Sequence, residues 1–147
     1  MERIRDHTDG YKTVKPSKNL RSFVERNKKL VGPLCRTLKL KAPRFFYYSD
    51  DDSSCAIYCN GSMKHPVIGL NALFCDELDL DLGRALHSTI VHELLHAFLE
   101  TAGLPCDEYK HPERKVETIA RDYRDGMIDE ERVREKLLEI VETEKKI

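Results

Sequence analysis

Residues 82–102 read LGRALHSTIVHELLHAFLETA, with His92-Glu93-Leu94-Leu95-His96 near the centre. Leu82, Ala85, Leu86, Ile90, Val91, Leu94, Leu95, Ala97, Phe98, Leu99 and Ala102 leave almost no polar face, and a helix that is apolar all round is a buried one. Residues four apart on an α-helix share a face. His92 and His96 can therefore aim ring nitrogens at one point about 2.0–2.1 Å away, the Zn–N distance. Two histidines and a carboxylate in a buried helix cost several kcal/mol unless something satisfies them. A metal ion would do so. Glu93, next to the first ligand, is positioned to take a proton from a water held by that metal. Chance alone gives an HExxH in roughly one such chain in fifty, so the surrounding helix carries as much of the argument as the motif.

The rest of the chain is consistent with a single domain over residues 1–147. That length supplies one proper core, and the composition of 40% hydrophobic and 35% charged residues is that of a globular protein. No apolar run approaches the ~20 residues of a membrane span, and MERIRDHTDG lacks the apolar stretch of a signal peptide. A cytoplasmic protein with no membrane partner is expected. Five cysteines (Cys35, Cys55, Cys59, Cys75, Cys106) are an odd number, which favours reduced thiols. Cys55 and Cys59, with Cys75 or Cys106, could hold a second metal, but small buried residues are the simpler reading of that spacing. Cys106 beside the active helix could in principle approach the first.

The net charge of −1 hides an asymmetry. Residues 1–44 carry 13 Lys and Arg against 4 Asp and Glu, while the remaining 103 residues carry 12 against 22. The basic segment can bind nucleic acid, dock on the acidic half, or stay solvated.

Periodicity and turn chemistry predict an α+β domain. Ser17 caps a helix over 18–31, with Leu20, Phe23, Val24, Leu30 and Val31 on one face. Gly32-Pro33 interrupts it, and a helical turn follows at 34–38. Arg44–Ser49, Cys55–Cys59 and Val67–Asn71 read as three strands of a mostly antiparallel sheet, with Asn60-Gly61 closing the second. Asp79 or Asp81 caps the HExxH helix, and Gly103 with Pro105 ends it. Pro112 opens a helix that Gly126 stops. Asp129 caps the last, in the 129–146 segment, with Val133, Leu137, Ile140 and Val141 at helical spacing. The catalytic core spans about 45–124.

A hydrolytic zinc site takes three protein ligands and leaves one open position. Glu100 is a poor third ligand, because three donors at i, i+4 and i+8 of one straight helix lie nearly in a row. The HExxHxxGxxH pattern is absent, with Leu99 and Ala102 at its Gly and final His positions. Glu117, in Glu117-Thr118-Ile119-Ala120 beside an inward stripe of Val116, Ile119 and Ala120, is the preferred candidate. His111, at the mouth of the same helix, is the alternative.

The strand Val67–Asn71, the helix carrying HELLHAFL, the short loop and the VETIA of the next helix resemble small gluzincins. These are zincin metallopeptidases that include the minigluzincins and the ImmA/IrrE-type enzymes. The resemblance covers roughly residues 65–124. It implies a zincin-like fold, Zn²⁺ as cofactor, a Glu of an E-x-x-A motif (Glu117, Ala120) as third ligand, and peptide or protein substrates paired along Val67–Asn71. The same stretch is similar to SprT-like proteases, which implies His111 as third ligand and association with DNA through residues 1–44.

The expected activity is thus zinc-dependent peptide-bond hydrolysis, with His92, His96 and Glu117 (or His111) on the metal and Glu93 as general base. Tyr109, His111 and Tyr123 are candidate donors to the oxyanion. The alternatives are a DNA-associated SprT-like protease and a latent or non-catalytic zinc-stabilised module.

Overall fold

The computed structural model describes residues 13–49, 56–62, 65–72, 82–104 and 112–145. Within them lie five helices and three strands. The helices are α1 (Lys18–Leu30), α2 (Gly32–Thr37), α3 (Leu82–Thr101), α4 (Glu113–Arg124) and α5 (Glu130–Lys145). The strands are β1 (Arg44–Tyr48), β2 (Ala56–Ser62) and β3 (His65–Asn71). The class is α+β, as the periodicity predicts.

Local chemistry explains most element ends. The Leu20 amide donates to Ser17 Oγ at 3.1 Å, capping α1. The Arg132 amide does the same to Asp129 Oδ1 at 2.9 Å at the start of α5. Only Val31 separates α1 from α2, whose first turn accepts Pro33 because the amide that proline lacks has no helical partner there. Helix α3 stops in a Schellman turn. Leu104 N donates to Leu99 O, Gly103 N donates to Glu100 O, and Gly103 sits at φ 102°. Gly126, at φ 75°, ends α4 the same way. The caps proposed for α3 at Asp79 or Asp81, and Pro105 beyond it, lie outside the described residues.

The sheet departs from expectation. Its order is β1-β3-β2; β1 runs parallel to β3 and β2 antiparallel to it. It is a mixed sheet, not a mostly antiparallel one. Asn60-Gly61 does not close β2 but lies within it, where the register slips by one residue between Cys59 and Ser62. An extra residue on one strand is a β-bulge, so the sequence cue for a turn marks an irregularity instead. Strand β3, which the gluzincin resemblance implies would pair with substrate, is central, with both of its edges hydrogen-bonded. The far edge of β1 takes a bridge from Thr13 to Tyr48, and Val14 N donates to Tyr47 O.

Helix α3 is the hub, packing against α1, β2, β3, α4 and α5. Ile90, Val91, Leu94, Leu95, Ala97 and Leu99 are all buried, as an all-apolar helix requires. Leu20 and Val24 of α1, Ile68 and Leu70 of β3, Val116, Ile119 and Ala120 of α4, and Val133, Leu137 and Ile140 of α5 close around it. Among the described residues, no helix is long and apolar enough to cross a membrane.

Candidate metal centre

His92 and His96 stand one turn apart on α3, His92 half-buried and His96 buried. Their imidazoles meet edge to face, 4.8 Å between centroids, with the two Nε2 atoms 3.1 Å apart. The third member of the group comes from α4. Glu113 Oε2 lies 3.1 Å from His92 Nε2, and Glu113 Oε1 lies 2.9 Å from His96 Nε2. The exposure of these side chains rises from 8% for His96 through 22% for His92 to 67% for Glu113, so the group opens to solvent on the carboxylate side.

With Glu113 ionised, proton placement alone cannot satisfy this arrangement. A neutral imidazole Nε2 carries either one hydrogen or one lone pair. If both nitrogens carry hydrogen, each can serve Glu113 but they confront one another. If only one does, the other points its lone pair at a carboxylate oxygen. One of the three contacts is unfavourable either way. A cation between the three donors makes all of them favourable. The spacings suit a small ion: ligands about 2.0–2.1 Å from a tetrahedral centre lie about 3.3 Å from one another. Two imidazole nitrogens and a carboxylate are donors that zinc accepts.

The local sequence positions each donor. Val91, Leu94 and Leu95 seal α3 into the core and hold the histidine face at its margin. Pro112, at φ −76° and ψ 91°, directs the chain into α4, so that Glu113 is its first helical residue. Val116, Ile119 and Ala120 fasten α4 to α3. Glu93 follows His92 directly and is half-buried.

The donor brought to the histidine pair is Glu113 rather than Glu117. Glu117 lies one turn further along the same face of α4, exposed, with Arg121 Nη2 donating to its Oε1 at 2.6 Å. The E-x-x-A spacing that singles out Glu117 points to the helix that carries Glu113, one turn away on the same face. A carboxylate straight after Pro112, at the mouth of that helix, is the signal that could have found Glu113. His111, Tyr109 and Cys106 lie outside the described residues, as do Cys55 and Cys75. Glu100 is half-buried one turn beyond His96 and is not part of the converging group.

Tyr123 is not beside the donors. It lies ten residues beyond Glu113, roughly 15 Å along α4 at 1.5 Å per residue. Its ring stacks on His87 with 6.0 Å between centroids. Burial, and then its hydrogen bond to Glu130, push its phenol well above the usual tyrosine range. Burial, and then the nearby Arg124 charge, pull His87 below the usual histidine range, and its buried Nδ1 has no hydrogen-bond partner among the described residues. Cys35, buried in α2, has its thiol pushed up to about 11 by burial.

Compared with protein families, with curated proteins and with solved structures, the chain matches none.

Proposed function

We propose that the chain is a zinc-dependent metallopeptidase in which His92, His96 and Glu113 hold the metal and Glu93 is the general base. The observation that carries this reading is the convergence of two Nε2 atoms and one carboxylate from two helices, with a second carboxylate one residue from the first histidine. When bound, zinc supplies Lewis acidity, lowering the pKa of a water toward 7 and polarising a carbonyl.

The chain's own residues supply the remainder. Glu93 takes the proton of the attacking water and returns it to the leaving amine nitrogen, a role worth typically 10²–10⁴ in rate. Helix α3 packs on β2, and β2 pairs with β3 on one side only among the described residues. Among the described residues, β2 thus offers an unpaired edge on a strand that touches the histidine helix. An extended peptide adding to that edge gains backbone hydrogen bonds with little demand on its own sequence. This supports a peptide or protein substrate and moves the docking strand from β3 to β2.

Elemental analysis of zinc after mild chelation tests the site. About one zinc per chain is expected in the wild type and in Glu117→Ala. Glu113→Ala should bind at least about 100-fold more weakly, beyond the 10–100-fold of losing an outer-shell partner. Glu93→Gln should keep its zinc while cleavage of a quenched peptide library falls by about 10²–10⁴. Loss of zinc in His111→Ala but not in Glu113→Ala would transfer the third position to His111 and favour the SprT-like reading. Zinc without cleavage in the wild type would favour the latent module. No zinc after reconstitution would end the proposal.

A further inference from the structure

Between Thr13 and Arg44 the chain carries 10 Lys and Arg and a single acid, Glu25. Helix α1 sorts these charges by face. Leu20, Val24 and Asn27 are buried against the core, while Lys18 and Lys29 lie on the opposite side with Arg21 and Arg26 on its two flanks, all exposed. From Lys18 to Lys29 the stripe runs roughly 16 Å at 1.5 Å per residue. Glu25, the acid on this face, is engaged by Lys28 at 3.1 Å. None of Lys18, Arg21, Arg26 and Lys29 has an acidic partner among the described residues. Arg26 is instead held over the Phe23 ring, 4.8 Å from its centroid, and reaches Ser22 Oγ at 3.5 Å. The described part of the acidic half therefore does not neutralise this stripe.

We infer that the solvent face of α1 is a docking face for the phosphodiester backbone of nucleic acid. A band of cations along one helix suits a linear polyanion, and duplex DNA presents about one negative charge per 1.7 Å of axis. A bilayer surface is a poorer match. A helix that lies in a membrane interface inserts an apolar face, and the apolar face of α1 is already buried in the core. Backbone contact by cations on one helix face carries no base information, so the binding is sequence-independent and strongly salt-dependent. The inference stands apart from the metal centre, because α1 meets α3 through the face opposite the stripe.

The test is fluorescence anisotropy of a labelled 20-mer, as duplex and as single strand, titrated with the full chain between 50 and 200 mM salt. The quadruple variant Lys18→Gln/Arg21→Gln/Arg26→Gln/Lys29→Gln is compared with Lys115→Gln/Arg132→Gln/Arg134→Gln/Lys136→Gln. The second variant removes the same charge from α4 and α5. Expected is binding by the wild type and by the α4–α5 variant. The α1 variant should bind at least tenfold more weakly at 50 mM salt. Its slope of log K against log salt on duplex should be shallower by about 3–4, at ~0.9 for each phosphate that is no longer neutralised. A matching circular dichroism melt shows that the α1 variant is folded. No binding at 50 mM salt overturns the inference. So does equal weakening in both variants, or equal affinity for phosphatidylserine vesicles.

Discussion

Gly69 and His87 show how single residues set tolerances around the site. Gly69 pairs with Phe46 across the parallel β1–β3 ladder, and the Phe46 ring lies over its Cα. A Cβ at position 69 would press on Phe46 Cζ and lie 2.8 and 2.9 Å from Cε2 and Cε1. Gly69→Ala should therefore destabilise by about 1–3 kcal/mol, the usual cost of overpacking. Denaturant unfolding measures it. Adding Phe46→Leu should recover part of the loss, because the two changes share one contact. An additive double mutant would mean that the ring is not the obstacle. His87 affects stability through pH. Its folded pKa lies below its unfolded value of about 6.5, so the unfolded chain binds more protons between the two. Its contribution is present above about pH 6.5 and is lost as pH falls through the folded pKa. With chelator present to remove any metal effect, His87→Phe should lose less stability than wild type between pH 7 and 5. Equal losses would contradict this reading of His87.

At the scale of elements, the helix ends repeat one device with different residues. Helices α2, α3 and α4 all finish with a left-handed residue and the 6→1 and 5→2 hydrogen bonds of a Schellman turn. Gly103 and Gly126 occupy that position in α3 and α4, but in α2 it is Lys39, at φ 58°. A side chain in this region costs about 1–2 kcal/mol, and glycine gives back about 0.5–1 kcal/mol through its larger entropy loss. Lys39→Gly should thus stabilise by about 0.5–1 kcal/mol, and Gly103→Ala should destabilise by about the same 0.5–1 kcal/mol. Thermal melts of the two variants should move in opposite directions; shifts of the same sign would refute the cap assignment. The same scale explains two departures from the sequence reading. Asn60-Gly61 suits tight backbone geometry, and a bulge offers that as well as a turn does. The alternation in Val67–Asn71 marks a strand without saying which neighbours it will have, and strand order is set by connections and packing.

At the scale of the whole molecule, the three candidate ligands come from two helices, α3 and α4, so a metal bound by them would couple its binding to folding. A ligand that binds only the folded chain stabilises it by mass action. Chelation should lower the melting temperature of the wild type by several degrees or more and leave that of Glu113→Ala unchanged; an unchanged wild type would show that the three donors hold no metal. The sequence by itself determined the apolar helix, its two histidines on one face, the neighbouring Glu93, the caps at Ser17 and Asp129, and the α+β class. Each is set by residues within a turn or two of one another, where backbone geometry leaves few choices. Tertiary structure decided the order β1-β3-β2, the mixed sheet and the fact that Glu113, not Glu117, stands beside the histidines. Those two carboxylates are four apart and share a face, so periodicity cannot separate them. Which turn of α4 meets the histidines depends on how far α4 is shifted along α3. Packing of Val116, Ile119 and Ala120 against the core fixes that shift, together with the chain's direction at Pro112, and no local pattern encodes it.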